Sequence, residues 1–104
     1  MPESNGPLRS VDMGFTMIDN PEASRYELHD GNTLAGVAEY QLRRDSIIFT
    51  HTKVSDAYEG QGAGSHLARE ALDDVRRRGL RVVARCPFIA AWIGRHPDYA
   101  DLLV

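Results

Sequence analysis

This sequence has a single cysteine, no long apolar run and a small net charge, and each of these features excludes a class of protein. Cys86 is the only cysteine among 104 residues, so the chain cannot form an internal disulfide, and a reducing, cytoplasmic compartment is expected. No apolar run approaches the roughly 18 residues of a membrane span. The N-terminus lacks the basic start and apolar stretch of a secretory signal. With a formal net charge of −3 and no basic stripe interleaved with aromatics, nucleic acid is not an expected partner.

The remaining composition is that of one ordinary globular domain. Apolar residues make up 42% and charged residues 26% of the chain, which is long enough for one core and too short for two. Residues 1–12 are polar, contain two prolines and show no periodicity. We therefore expect a flexible tail over residues 1–12 and a single domain over residues 13–104.

The first half of the chain has the pattern of an antiparallel meander. Alternating or strongly β-forming stretches are separated by turn signals such as Asp30-Gly31-Asn32 and Arg43-Arg44-Asp45. The predicted strands cover residues 14–19, 24–29, 33–42 and 46–54.

The second half predicts a helix, a crossover strand and a second helix. An apolar stripe at helical spacing predicts the first helix over residues 62–78, with Gly79 as its C-cap. Residues 80–85 predict a strand that lies parallel to an earlier one, because a helix separates the two. Pro87 suits the start of a second helix over residues 88–95. The expected fold is α+β, a mostly antiparallel sheet of four to five strands with one parallel crossover strand and two flanking helices.

Three glycines mark the junction between the two halves. Gly60, Gly62 and Gly64 alternate just before the first predicted helix. Glycine permits positive φ and close ligand approach, and a helix start offers unpaired N–H groups, so the stretch predicts a pyrophosphate loop. It is not a Walker A loop, since no lysine follows, and its G-x-G-x-G spacing differs from the dinucleotide fingerprint. A strand-to-helix turn that uses glycine for geometry alone is the alternative.

The charge distribution is uneven along the chain. Residues 1–60 carry an excess of acids, whereas residues 61–95 carry an excess of basic side chains, including Arg76, Arg77 and Arg78. This excess would suit an anionic cofactor. It would equally suit a solvated helix face, and arginines at a helix C-terminus also complement the helix dipole.

The order of elements and the glycine loop resemble the GNAT superfamily of N-acetyltransferases. That superfamily binds acetyl-CoA with a [QR]-x-x-G-x-[GA] loop that opens a helix. The segment Glu59–Gly64 occupies this frame, with Gly62 and Gly64 in the glycine positions. Glu59 departs from the pattern, where Arg or Gln is usual. Because an acid beside phosphates is unfavourable, we expect Glu59 to point away from them.

Five further pieces of sequence resemble a narrower subfamily of minimal, single-cysteine acetyltransferases. They are Y-E-L-x-D-G, H-T-x-V, Y-x-G-Q-G, C-P-F and R-H-P-D-Y, spread over residues 24–103. This resemblance implies the GNAT-like fold, acetyl-CoA as cosubstrate and a cysteine at the active centre. It supplies no acetyl acceptor.

Two residues are candidate catalytic groups. Cys86 ends a strand directly before the second helix, where a helix N-terminus would favour its thiolate, although a lone cysteine is also often a small buried residue. His51 lies in the strand before the loop, on the face predicted to carry Ile47 and Phe49, and would act as a general base. A hydrogen-bonded sheet histidine is the alternative. The four histidines and one cysteine do not have the spacing of a zinc site.

The sequence therefore predicts an acetyl-CoA-dependent N-acetyltransferase, with a non-catalytic acyl-CoA-binding module as the rival. The acceptor would be a small-molecule amine or a protein lysine, and the chain a monomer or weak dimer. By resemblance, coenzyme A would be held by the end of the fourth strand and by the glycine loop. The residues implicated are Thr52, Lys53, Val54, Gly60, Gln61, Gly62, Ala63, Gly64 and Ser65.

Overall fold

The computed structural model of the chain describes residues 14–104. The tail expected over residues 1–12, and the start of the domain at residue 13, lie outside the described residues. The described part forms five strands and two α-helices, with 3-10 turns at Asp56–Tyr58 and Pro97–Leu102. The elements are β1 (Phe15–Asn20), β2 (Arg25–Asp30), β3 (Thr33–Leu42), β4 (Ser46–Val54), α1 (Ala63–Arg77), β5 (Arg81–Ala84) and α2 (Pro87–Arg95).

The sheet follows the order of the chain, β1-β2-β3-β4-β5. The first four strands are antiparallel neighbours, and β5 pairs with β4 in parallel after the α1 crossover. This confirms the predicted α+β class, the meander and the parallel crossover strand. Each predicted element is present: the bounds of β3 and β4 are as predicted, and those of the other elements differ by no more than one residue at either end.

The core lies between one face of the sheet and the two helices. The stripe predicted for α1 is buried, and each of its members is 0% exposed: Leu67, Ala68, Ala71, Leu72 and Val75. Helix α2 adds Ile89, Trp92 and Ile93 to the same core cluster. None of the helices within residues 14–104 is long and apolar enough to cross a membrane.

A β-bulge in β4 changes which side chains face the helices. Glu39 of β3 pairs with His51, whereas the next residue, Tyr40, pairs with Phe49, so Thr50 is an extra residue in β4. A bulge shifts the alternation of side chains by one position. Phe49 therefore faces the core, and beyond the bulge it is Thr52 that faces the helix side.

Strands β4 and β5 separate at the same point. Their parallel pairing ends at Phe49 and Ala84, and the backbone N–H groups of Arg85 and Cys86 both donate to the Phe49 carbonyl. Beyond Phe49, β4 continues with β3 on one side and no strand of the described chain on the other. The chain after β5 turns into α2, and a gap opens between α2 and the end of β4.

Candidate functional site

A cavity of about 410 Å³ occupies this gap. Its wall is built by the end of β4, by the loop between β4 and α1, by the first turn of α1, and by one side of α2. The lining residues are Thr52, Val54, Tyr58, Glu59, Gly60, Gly62, Ala63, Gly64, Ser65, Phe88, Trp92 and Arg95. A volume of this size is in the range of small-molecule sites.

Two glycines of the loop adopt backbone conformations that other residues resist. Gly60 has φ 82° and Gly62 has φ 78°, both in the left-handed region. Gly62 is the residue that precedes α1, so its left-handed conformation sets the direction in which the helix starts. An L-residue with a side chain is disfavoured there by roughly 1 kcal/mol or more.

The start of α1 presents backbone donors to the cavity. The N–H groups of Gly62, Ala63, Gly64 and Ser65 have no acceptor among the described residues. No side chain of the described part of the chain caps the helix, and the first turn of α1 contains no acidic residue. The positive end of a 15-residue helix dipole therefore lies in the cavity wall, and the chemistry of this part of the wall suits an anion.

Gly64 serves the packing of the two helices. A Cβ built at Gly64 would lie 2.9 Å from Cζ of Phe88 and 3.5 Å from Cγ2 of Val54. Any larger residue would displace the Phe88 ring, which lines the cavity opposite the helix start. The three glycines therefore have two different roles. Gly60 and Gly62 shape the loop, and Gly64 allows α2 to pack closely against α1.

Seven of the nine residues expected to hold coenzyme A lie in the cavity wall, and Lys53 and Gln61 do not. Lys53 is exposed and alternates with Thr52 and Val54, so it points to the other face of the sheet. The Gln61 side chain donates to the Ala57 carbonyl at 2.9 Å, and this hydrogen bond stabilises the loop.

Cys86 lies next to the cavity but does not line it. Its side chain is 2% exposed, and its Sγ is 3.2 Å from Oγ1 of Thr52, which does line the cavity. Cys86 immediately precedes α2, as predicted, but its thiol makes no capping hydrogen bond to that helix. Thr52 therefore stands between the thiol and the cavity.

The expectation that His51 shares a face with Ile47 and Phe49 is wrong. The bulge at Thr50 reverses the alternation, so that Thr52 faces the helices and His51 faces away from them. The His51 side chain is exposed, and it is absent from the cavity wall. The bulge depends on pairing with β3, so it could not be foreseen from β4 alone.

The charged residues of the cavity are Glu59 and Arg95. Glu59 is an exposed residue at the cavity wall. Arg95 enters from the last turn of α2 and forms no ion pair with an acid of residues 14–104. Sequence reasoning missed Arg95, although Phe88, Trp92 and Arg95 have the i, i+4, i+7 spacing of one helix face.

Tyr58 connects the loop to the β2–β3 hairpin. Its hydroxyl donates to Oδ2 of Asp30 at 2.7 Å, and this hydrogen bond raises the pKa of Tyr58. Its ring packs edge-on against Phe15, with the centroids 5.9 Å apart. Two of the sequence pieces noted above, Y-E-L-x-D-G and Y-x-G-Q-G, are therefore joined by one side-chain hydrogen bond.

The basic run at the end of α1 takes no part in the cavity. Arg76 forms a two-pronged ion pair with Asp101, Arg77 pairs with Asp74, and Arg78 contacts Asp19. These contacts lie at the opposite end of α1 from the cavity. Three of the seven arginines of residues 61–95 thus pair with acids of the described chain and are not directed at the cavity.

Comparisons with known proteins agree with this architecture. A model of the GCN5-related N-acetyl-transferase family matches residues 25–102, which is most of the chain. The NMR solution structure of a GCN5-like protein from Staphylococcus aureus superposes with a TM-score of 0.64. The superposition covers 91% of both chains at 22% sequence identity, and it shows that the fold is shared.

Curated relatives match over a shorter stretch. Protein NATD1 of Bos taurus is 43% identical over 47 residues, which are 45% of this chain and 42% of the relative. Protein NATD1 of Homo sapiens is 40% identical over the same number of residues, which are 45% and 42% of the two chains. The matched stretch thus spans less than half the length of each relative.

Proposed function

This chain belongs to the GCN5-related N-acetyltransferase family, and on that basis we propose that it binds acetyl-CoA in the cavity and transfers the acetyl group directly to an amine. The observation that carries the proposal is the uncapped start of α1 in the cavity wall. The free N–H groups of Gly62, Ala63, Gly64 and Ser65 form a cradle that suits the pyrophosphate.

The end of β4 suits the pantetheine arm. Residues 52–54 lie past the last pair with β5, so one edge of this stretch has no neighbouring strand in the described chain. An unpaired strand edge offers main-chain donors and acceptors to an extended ligand that carries amide groups. Thr52 and Val54 lie in the cavity wall at this edge, and Thr52 would be near the thioester end.

Acetyl-CoA supplies an activated thioester. In direct transfer the amine nitrogen forms a bond to the acetyl carbon, the carbon–sulfur bond breaks, the amine loses a proton and the coenzyme A thiolate gains one. The chain's own contribution is to bind and orient the donor through the α1 cradle and the β4 edge. The Thr52 hydroxyl is the polar side-chain group nearest that end, and it contacts Cys86 rather than leaving it exposed to the donor.

A covalent route through Cys86 is less well supported. A nucleophile must reach the acetyl carbon, whereas the Cys86 side chain is 2% exposed and lies behind Thr52. His51 would be a general base only for an amine that approaches from the sheet face away from the helices. The proposed acceptor is a small-molecule amine or a protein lysine.

One observation favours a second candidate function, a non-catalytic acyl-CoA-binding module. Within residues 14–104, the cavity wall contains neither a histidine nor a cysteine, and its ionisable side chains are Tyr58, Glu59 and Arg95. Such a module would keep the cradle but would have no base beside the acetyl group.

Turnover separates the two candidates. We would incubate the chain with acetyl-CoA and a panel of polyamines, amino acids and lysine peptides, and measure acetylated product by mass spectrometry. Product above the uncatalysed background, retained in Cys86→Ala, supports direct transfer. Tight binding without product from any amine supports the module. Loss of product in Cys86→Ala, together with an acetyl adduct on Cys86 that the amine discharges faster than water, would overturn direct transfer.

A further inference from the structure

The indole of Trp92 forms a direct hydrogen bond with the side chain of Ser65. Trp92 Nε1 donates a hydrogen bond to Oγ of Ser65 at 2.8 Å, and both residues line the cavity. Ser65 is the third residue of α1, so its hydroxyl lies in the same helix turn as the unpartnered N–H groups.

A count of donors and acceptors fixes what the hydroxyl can do. A serine hydroxyl has one hydrogen to donate and two lone pairs, whereas the indole nitrogen is a donor only. Trp92 therefore uses a lone pair of Ser65, and the hydroxyl hydrogen must point elsewhere. No carbonyl or carboxylate among the described residues accepts it. The hydroxyl is left as a donor without a partner in the cavity wall, beside the helix start.

Trp92 itself is held in place by its packing. It is 1% exposed, its ring stacks on His96 with centroids 3.8 Å apart, and Tyr99 packs edge-on at 5.0 Å. The Arg69 guanidinium also lies over the indole, 5.3 Å from its centroid. A ring fixed in this way presents its N–H in one direction, so the hydroxyl of Ser65 is oriented before any ligand arrives.

We propose that Trp92 is a positioning residue for anion binding, which acts by orienting the Ser65 hydroxyl as a side-chain donor to a phosphate oxygen of the bound ligand. The inference rests on the proposed function for the identity of the ligand, coenzyme A. It extends that function by giving α2 a part in phosphate recognition, which the loop glycines alone do not provide.

A double-mutant cycle with coenzyme A, read by isothermal titration calorimetry, tests the proposal. Ser65→Ala should weaken binding about tenfold, because a hydrogen bond to a charged group is worth roughly that factor. Trp92→Phe keeps an aromatic ring but loses the N–H, and should weaken binding about threefold in the wild-type background. In the Ser65→Ala background Trp92→Phe should have no further effect, because the group that it orients is gone.

Tyr99→Phe is the matched control. It keeps the aromatic ring that packs on Trp92 and removes only the 2.7 Å hydrogen bond to Asp73, a residue outside the cavity wall. It should lower the melting temperature and leave coenzyme A affinity unchanged. If Tyr99→Phe weakens binding as much as Trp92→Phe does, the effect is one of packing and the proposal is overturned. The proposal is also overturned if the effects of Ser65→Ala and Trp92→Phe are fully additive.

If Trp92→Phe binds coenzyme A with wild-type affinity, the role of Trp92 is overturned and the proposed function is not affected. If the wild-type protein binds no coenzyme A, both the role of Trp92 and the proposed function are overturned.

A second measurement needs no change at Trp92. The chain has a single tryptophan, so its indole N–H gives one signal in a ¹⁵N correlation spectrum. That signal should move upfield in Ser65→Ala, where its acceptor is lost. It should respond to coenzyme A in the wild type and far less in Ser65→Ala. If the chemical shift of the indole N–H is the same in Ser65→Ala as in the wild type, the hydrogen bond and the proposal are both contradicted.

Discussion

The hydroxyl oxygen of Thr52 lies 3.2 Å from Sγ of Cys86 and separates the only thiol of the chain from the cavity. Thr52 reaches this position because the extra residue at Thr50 reverses which side chains at the end of β4 face the helices. One backbone irregularity thus decides that a threonine, rather than His51, faces the site. It also leaves Cys86 buried beneath that threonine.

Thr52→Ala should expose the thiol to the cavity. We expect the reaction of Cys86 with a disulfide reagent to accelerate about tenfold, because a thiol reacts according to its access as well as its thiolate fraction. Coenzyme A should slow the reaction again by filling the cavity. Thr50→Ala is the control, since Thr50 bonds to the Glu39 carbonyl and does not touch Cys86. Equal rates in the two variants would mean that Thr52 does not shield the thiol.

Gly62→Val should abolish coenzyme A binding while the domain still folds. Gly62 has φ 78°, so a β-branched residue would be strained there and would also block the approach of phosphate to the helix start. The matched control is Gly79→Val at the other end of α1, where φ is 71° and a Cβ would meet nothing within 4 Å. Both variants should lose roughly 1–2 kcal/mol of stability in urea titrations. If Gly62→Val binds coenzyme A as well as Gly79→Val does, the glycine serves only the turn.

Arg95→Gln should weaken coenzyme A binding by about tenfold and reduce its dependence on salt. Arg95 lines the cavity without an ion-pair partner in the described chain, so its charge is available to the phosphates. Arg44→Gln is the control, because Arg44 is exposed between β3 and β4 and lies outside the cavity wall. Affinity titrations at several salt concentrations would measure both effects, and an equal loss in Arg44→Gln would point to a general charge effect.

Glu27 makes the stability of the fold depend on acid. Hydrogen bonds from His29, Arg25 and Asn20 lower the pKa of Glu27 from 4.5 to about 2. A lowered pKa in the folded state stabilises the fold above the unfolded pKa, and this stabilisation is lost as the pH falls through the folded pKa. Glu27→Gln should therefore reduce the free energy of unfolding by ~2 kcal/mol at pH 7, with the difference shrinking between pH 4.5 and 2. Glu22→Gln, at an exposed turn residue, is the control for the loss of one carboxylate. A difference that stays constant down to pH 2 would mean that Glu27 is not the group responsible.

The sequence predicted the elements well because their signals are local. The stripe from Leu67 to Val75 repeats at helical spacing, and the turn at Asp30-Gly31 lies between two alternating runs. The loop before α1 was predicted for the same reason. Its conformation depends on positive φ at Gly60 and Gly62, and glycine permits positive φ whatever its distant neighbours are.

The site was predicted less completely because parts of it depend on distant pairing. The bulge at Thr50 arises from register with β3, so the exposure of His51 could not be read from β4. The burial of Cys86 depends on Thr52 across the gap between β4 and α2. The place of Trp92 and Arg95 in the site could have been predicted, because their spacing puts them on one face of α2. The apolar pattern of the sequence placed Trp92 in the core and gave Arg95 no role.

The most direct test of the account is a titration of ¹⁵N-labelled protein with coenzyme A. If the uncapped start of α1 holds the pyrophosphate, the backbone amides of Gly62, Ala63, Gly64 and Ser65 should show the largest shifts, with a saturating one-to-one stoichiometry. The Trp92 indole signal should move with them, and NAD at the same concentration should cause much smaller changes. No saturable shift with coenzyme A, or the largest shifts at amides remote from α1, would contradict the assignment of this cavity as an acetyl-CoA site.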